Sequence, residues 1–301
     1  MMIASLVALL VMPIVLTGVI NRVKALWSGR KGPPILQLAY DLLRLVRKTP
    51  VYSTTTGPVF RIAPYVMLAT SIGSAMIVPL LGGRPIVSFP FDFVWFAYIW
   101  ALGRVASMLA ALDTGSSFEG MGAAREATFS TLLEPALFLV TGTLCLVSST
   151  HVLYEALNPA LTTGASFVIW VSAIVALVIV LQVETARMPV DDPTTHLELT
   201  MVHEVMILDH SGPELAALQL SGAIKLFVGA SLIAALVNPF SGSIGVIVQI
   251  ALALGLGVAI ATIESLMARL RLRTVPHYIV IALAAGTIAL LATAWRSGGA
   301  A

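Results

Sequence analysis

The sequence predicts an all-α, polytopic integral membrane protein with eight transmembrane helices. Three observations carry that prediction. The 301 residues are 58% hydrophobic and only 11% charged, with a mean hydropathy of +0.97, a composition typical of membrane-spanning chains. Eight apolar stretches reach the roughly 20 residues that a bilayer core of about 30 Å requires. None shows the period-two alternation of a barrel, and apolar runs of this length satisfy their backbone groups in lipid only as helices.

The spans fall at about 2–20, 62–82, 89–112, 127–149, 165–183, 217–237, 243–263 and 276–295. The first is not a cleaved signal peptide: it lacks a charged leading region, runs too long, and is followed by Arg22, Lys24, Arg30 and Lys31. Those charges belong on the cytoplasmic side, which leaves the N-terminus outside. The remaining connections agree. Eight Lys/Arg residues (Arg22 to Arg61) separate spans one and two, and Arg125, Arg187, Arg269, Arg271 and Arg273 fall in later connections on the same side. Only Arg84 and Arg296 face the other way. The expectation is one membrane domain over residues 1–301, both termini outside, in a prokaryotic cytoplasmic membrane. Its cytoplasmic elements are about 21–61, 113–126, 184–216 and 264–275. The single Cys145 sits in an apolar span as a packing thiol.

Between spans one and two, residues 32–50 carry Ile35, Leu38, Leu42, Leu45 and Val46 at helical spacing, with Asp41, Arg44, Arg47 and Lys48 on other faces. This predicts an amphipathic helix in the cytoplasmic interface, opened by Pro33 and Pro34 and closed by Pro50. It is either a simple anchor or one wall of a site at the membrane surface. Residues 113–126 are rich in Gly and Ser and predict a loop.

The window from 183 to 215 stands apart. Its 33 residues hold seven of the fifteen acidic residues and three of the five histidines. Two helices can be joined in far fewer residues, so this connection is expected to act on a partner, a proton or both. Asp192 is a plausible N-cap with Pro193 at the first helical position, and the helix is expected to run to Asp209. His196, His203 and His210 would share one stripe seven residues apart, about 10 Å along the axis, too far to share a metal ion. Contacts with a docked partner suit them better.

Charge inside the apolar spans is costly and is a functional candidate by default. Arg104, Glu134 and Lys225 are the three such groups, and a rise of about 1.5 Å per residue puts them about 11–12 Å from the cytoplasmic ends of their spans. Glu184 and Glu264 sit near the mouth of that layer. The layer is either a set of ion pairs stitching helices together or a cytoplasm-facing polar half-channel with Glu134 as proton carrier. The outer parts of the spans are nearly free of charge, so a proton would leave sideways into a neighbouring subunit.

Four segments then carry a resemblance that covers essentially the whole chain: GPPILQLAYDLLRLVRKTPVYS, GMGAAREATFSTLLEP, ETARMPVDDPTTHLELTMVHEVMILDHSGPEL and IESLMARLRLRTVP. The chain resembles the respiratory complex I subunit 1 family, and within it the equivalent membrane subunit of formate hydrogenlyases and group 4 energy-converting nickel–iron hydrogenases. The run PVDDPTTHLELTMVHE looks like the hydrogenase branch. The quinone-binding branch resembles ETNRAPFDLPEGESELVAGF; Glu184, Thr185, Arg187, Pro189, Asp191 and Pro193 match it, whereas Thr194, Thr195 and His196 replace its acid cluster. The resemblance implies a coupling path through Glu134, Glu184 and Asp191, and Lys225 also looks like a feature of the hydrogenase branch; Arg104 and Glu264 join that path by their position in the charged layer. It matches Arg125 and Arg187 to basic positions near the cytoplasmic junction, where Asp41, Asp192, His196, Glu198, His203 and Glu204 are the further candidates for partner docking. The expected partners are the hydrogenase large and small subunits of a peripheral arm, which would hold the Ni–Fe and Fe–S clusters, and antiporter-like membrane subunits in the lipid bilayer. No cofactor and no nucleic acid is expected on this chain, which lacks cluster-binding cysteine motifs and nucleotide-binding glycine motifs. The alternatives are a quinone-site subunit of a complex I-like dehydrogenase, a stand-alone secondary transporter and a purely structural anchor.

Overall fold

The computed structural model describes residues 2–157, 164–191 and 201–298. Eight long apolar helices form the body: α1 (Met2–Trp27), α3 (Pro58–Ile77), α4 (Asp92–Asp113), α5 (Ser117–Val147), α7 (Gly164–Glu184), α9 (Gly212–Val237), α10 (Gly242–Leu266) and α11 (Val275–Gly298). Between them lie α2 (Gln37–Val46), the one-turn helices α6 (Leu153–Ala156) and α8 (His203–Met206), and a 3₁₀ turn at Leu272–Thr274. The protein is a multi-pass membrane protein.

The helix α9 is the axis. It packs against α3, α10, α1, α2 and α7, and nearly every residue from Ala216 to Leu236 is buried. Around it α3 pairs with α4, α5 sits between α4 and α11, and α11 closes against α7. A continuous apolar core runs from Leu16 and Ile20 through Phe96, Trp100 and Leu133 to Leu181, Phe227 and Ile260. Glycines permit the closest crossings: a Cβ on Gly103 would lie 2.6 Å from Thr70 Oγ1 of α3.

Several boundaries differ from expectation. The second span stops at Ile77, because Pro79 forces Val78 into extended backbone; Val78, Leu80 and Leu81 are nonetheless buried, and their hydrophobicity suggested a longer helix. The Gly- and Ser-rich stretch expected as a loop over 113–126 is a helix from Ser117 onward. Gly120 and Gly122 cost helix propensity there, but Gly122 lets Val205 and Met206 of α8 approach so closely that any Cβ would overlap them. At 31 residues α5 is about 46 Å long, so it projects beyond the bilayer on the Lys/Arg-rich face.

Helix α2 is shorter than the expected 32–50. Two consecutive prolines, 33 and 34, delay its start to Gln37. Its Leu38, Leu42 and Leu45 turn partly inward, while Leu36, Tyr40 and Leu43 stay exposed. The helix expected between Pro193 and Asp209 falls partly on residues 192–200, outside the described residues. Over the rest it is not continuous: Met201 and Val202 are not helical, and only His203–Met206 form a turn. The expected N-cap Asp192 lies outside the described residues, and at the start of α8 Asp191 Oδ2 accepts the amides of Val202 (2.9 Å) and His203 (3.2 Å).

Candidate coupling site in the membrane

At the level of the predicted charged layer, four helices contribute one group each. Arg104 of α4 is almost fully buried and bridges two carboxylates. Its Nη2 donates to Glu134 Oε1 of α5 at 2.8 Å. Its Nη1 lies 2.8 Å from Glu184 Oε1 of α7, an ion pair without hydrogen-bond alignment. The other Glu184 oxygen accepts from Lys225 Nζ of α9 at 3.4 Å. The result is an alternating row, Glu134–Arg104–Glu184–Lys225, across α5, α4, α7 and α9. Formal charge along it sums to zero, which allows it to be buried.

The ends of the row differ. Lys225 is enclosed along with its partner Glu184, whereas 41% of the Glu134 side chain is exposed. At the Lys225 end a cavity of about 340 Å³ opens, with Glu184, Lys225, Arg187, His203, Glu204 and Gln219 among its polar lining and Leu38, Met67 and Leu218 among its apolar walls. Helix α2 therefore closes one side of this cavity.

A second set of charges holds the basic face together. The Glu264 carboxylate at the end of α10 is fully buried between Lys24 Nζ of α1 (2.9 Å) and Arg187 Nη1 (3.3 Å). Asp191 Oδ1 pairs with Arg269 Nη2 at 2.8 Å. Arg125 donates from Nη1 to the Met201 carbonyl at 2.6 Å. His203 Nε2 lies 3.5 Å from Glu126 Oε2 of α5. These contacts pin the turn after α7 to α1, α5 and α10.

A third cluster latches the strap after α2 onto the start of α9. Tyr52 donates to Glu214 Oε1 at 2.6 Å, and Ser211 Oγ accepts the Val51 amide at 2.9 Å. The remaining Glu214 oxygen is 3.5 Å from Nδ1 of His210, whose ring stacks on Phe60 with centroids 3.8 Å apart. Burial pushes His210 below the usual histidine range, against the opposing pull of Glu214 and Asp209. The hydrogen bond to Glu214 and its negative charge push the Tyr52 phenol up.

The NADH dehydrogenase family model matches residues 1–294, a range that contains every residue of this site. The chain belongs to this family. It is 34% identical over 243 residues to hydrogenase-4 component C of Escherichia coli strain K12, covering 79% of this chain and 74% of that protein. It is 29% identical over 293 residues to formate hydrogenlyase subunit 4 of the same organism, covering 92% of each. Its fold superposes with a TM-score of 0.79 and 19% identity on a chain from the membrane-bound sulfane sulfur reductase, an archaeal respiratory membrane complex, covering 95% and 98% of the two chains.

For this member of the NADH dehydrogenase family, the structure sorts the residues singled out from sequence as follows. Arg104, Glu134, Glu184 and Lys225 stand together. Among the described residues Glu264 makes no ion pair with that row; it holds Arg187, which lines the same cavity as Glu184 and Lys225. Asp191 belongs to the anchoring set, with Arg269 and the α8 amides. Asp41 is half-buried and bonded to Gln37 on its own helix. Arg125, Arg187, His203 and Glu204 gather around the turn after α7. Asp192, His196 and Glu198 lie outside the described residues. His203 and His210 do not share a stripe, because the helix that would align them breaks. Among the described residues, no group of three His, Cys, Asp or Glu side chains is placed to share a metal ion.

Sequence reasoning missed Lys24, Glu119, Glu126, Arg269 and the Tyr52–Glu214 bond. Glu119 and Glu126 were recoverable: seven apart, both buried, they mark the inward stripe of α5, which reading 113–126 as a loop concealed. The others join segments far apart in the chain and left no local pattern.

Proposed function

We propose that this chain is the membrane-anchor and coupling subunit of a multisubunit hydrogenase or formate hydrogenlyase-type complex. The observation that carries the reading is the row Glu134–Arg104–Glu184–Lys225, which joins a cavity beneath the acidic loop to the outer surface of the bundle. Arg104 is shared between two carboxylates. A proton or positive charge gained at Glu184 leaves the guanidinium to Glu134; a charge lost there draws it back. The row is thus an element with two arrangements, which events at the loop can bias.

In this reading the loop after α7 and the projecting start of α5 dock a peripheral arm, whose large and small subunits carry the Ni–Fe and Fe–S clusters. Arg187 in the turn after α7 is tied through Glu264 to α10 and α1, and α8 with His203 is tied through Arg125 and Glu126 to α5, so movement of the docked arm reaches the cavity wall directly. The proton leaving at Glu134 passes to antiporter-like membrane subunits. The family membership and the hydrogenase relatives support the reading. Replacing Glu134 with Gln keeps an acceptor for Arg104 while removing the titrating group. The assembled complex is expected to retain its electron-transfer chemistry and lose proton translocation. Full coupled translocation in that variant would refute the proton role.

One observation favours a second reading, that of a quinone-site subunit. The cavity pairs apolar walls from α2, α3 and α9 with a charged end at Glu184, as a redox-active headgroup on an apolar tail requires. Stoichiometric quinone in the purified complex, or inhibition by quinone analogues, would select it.

A further inference from the structure

Two cavities approach the charged row from opposite faces of the bundle. On the Lys/Arg-rich side, the cavity of about 340 Å³ ends at Lys225, with Met67 of α3 and Ser107 of α4 in its wall. On the far side a wider one of about 490 Å³ opens between the ends of α3, α9 and α10, with Arg84, Glu155, Asn238 and Gln249 among its polar lining. Thirteen residues separate Lys225 from Asn238, about 20 Å along α9. That is roughly what remains of a 30 Å hydrocarbon core beyond a group about 12 Å deep.

A buried polar seam spans this interval. Thr70 Oγ1 and Lys225 Nζ stand 2.6 and 3.7 Å from the point that a Cβ on Gly103 would occupy, so both border the same spot. Phe60, Met67, Ser71 and Ser74 share one stripe of α3. Phe60 stacks on His210 just before α9, and Met67 lines the inner cavity with Lys225, so the stripe faces α9. Ser71 and Ser74 are fully buried on it. Beyond them the Ser231 carbonyl of α9 accepts Gln249 Nε2 of α10 at 2.9 Å, and Gln249 Oε1 accepts Asn238 Nδ2 at 3.2 Å. Gln249 Nε2 also reaches the Pro79 carbonyl just past α3, at 3.4 Å.

Helix packing does not require these hydroxyls. Ser71 and Ser74 donate to carbonyls of their own helix at 2.8 Å. Ser231 Oγ is fully buried and has no hydrogen-bond partner among the described residues. Alanine would fill the same space without burying an unsatisfied hydroxyl. A hydroxyl both accepts and donates, so a series of them can relay a proton, directly or through an interposed water. Each oxygen takes one proton and passes its own to the next, which leaves the relay unchanged.

We propose that this seam is a proton path between Lys225 and the far face, running by Thr70, Ser71, Ser74 and Ser231 to the wider cavity at Gln249 and Asn238. Lys225 exchanges a proton with the first hydroxyl, and water in the wider cavity exchanges one with the last. The outer halves of the spans carry almost no charge, but a relay needs only hydroxyl groups. The chain thus has a half-path of its own beside the sideways exit at Glu134. The inference rests on the coupling reading, because it takes the row as the place where protons are set in motion.

The test compares side chains of nearly the same shape that differ in the hydroxyl. Thr70→Val, and Ser231→Val set against Ser231→Thr, are introduced into the whole complex, and protons translocated per electron are measured in sealed membrane vesicles. The expected result is a lower ratio in both valine variants and an unaltered ratio in Ser231→Thr, with the two Ser231 variants equal in Tm. Unaltered ratios in both valine variants, or equal losses in Ser231→Val and Ser231→Thr, would overturn the proposal. Glu134→Gln measured alongside separates the two ideas. Loss in that variant with full ratios in the valine variants removes the seam and leaves the coupling reading standing. Full translocation in Glu134→Gln with loss in the valine variants removes the proton role of Glu134 and leaves the seam.

Discussion

Removing the central cation of the row is the most direct test of how it is held. In Arg104→Met the side-chain volume is roughly kept while both ion pairs vanish. Glu184 is enclosed and would keep only Lys225 at 3.4 Å. Stranding a buried charge by deleting its partner costs about 3–5 kcal/mol, and the residual lysine places the expected loss near the lower end, about 3 kcal/mol. That figure counts Glu184 alone; Glu134 loses its ion pair as well, at a depth where lipid rather than water surrounds it. For a chain of this size about 3 kcal/mol corresponds to a fall in Tm of roughly 6–12 °C, readable by thermal unfolding of the detergent-solubilised protein. The double variant Arg104→Met/Glu134→Gln removes the odd carboxylate, leaves Glu184 and Lys225 as a neutral pair, and should recover much of the loss, a coupling between neighbours that a double-mutant cycle isolates. If Arg104→Met alone leaves Tm unchanged, or the double variant is as unstable as the sum of the two singles, the row is not the electrostatic unit described above.

Three further outcomes are expected, beside the loss of translocation in Glu134→Gln. Gly103→Ala forces its new methyl against Thr70 Oγ1 and should cost about 1–3 kcal/mol; adding Thr70→Ala removes the obstructing atom and should restore Tm. Gly122→Leu would expel α8 from α5, so the peripheral arm should fail to co-purify while the chain remains in the membrane, as a pull-down on the tagged chain would show. His210 is held neutral by burial, below its unfolded value of about 6.5. The unfolded state therefore binds the proton more readily, and stability is complete above that value and lost as pH falls through the lower folded value. Protection of the Val51 amide, measured against its intrinsic exchange rate, should fall as pH drops below that unfolded value, and His210→Gln should flatten that dependence; an unchanged pH profile in the variant would rule out His210 as its source.

Much of this was legible in the sequence, for identifiable reasons. Eight runs of about 20 apolar residues leave no alternative to spanning helices, and a fixed rise per residue converts position along each run into depth. Arg104, Glu134 and Lys225 could therefore be placed at one level without coordinates. Their pairing could not. Which side chains meet depends on the rotation and contact order of α4, α5, α7 and α9, set by crossings such as Gly103 against Thr70. Glu184 was expected at the mouth of the layer and is its centre, because α7 seats its last residue between Arg104 and Lys225. The Gly-rich stretch before α5 shows the converse: local propensity indicated a loop, and packing of Val205 against Gly122 makes it a helix. By itself the sequence determined the span count, the asymmetry of basic residues and the depth of the buried charges, since these follow from transfer energies and helical rise along one dimension. Only the tertiary structure decided that the charges form a single row with one enclosed end and one exposed end, because that is a matter of azimuth around helices that touch far apart in the chain.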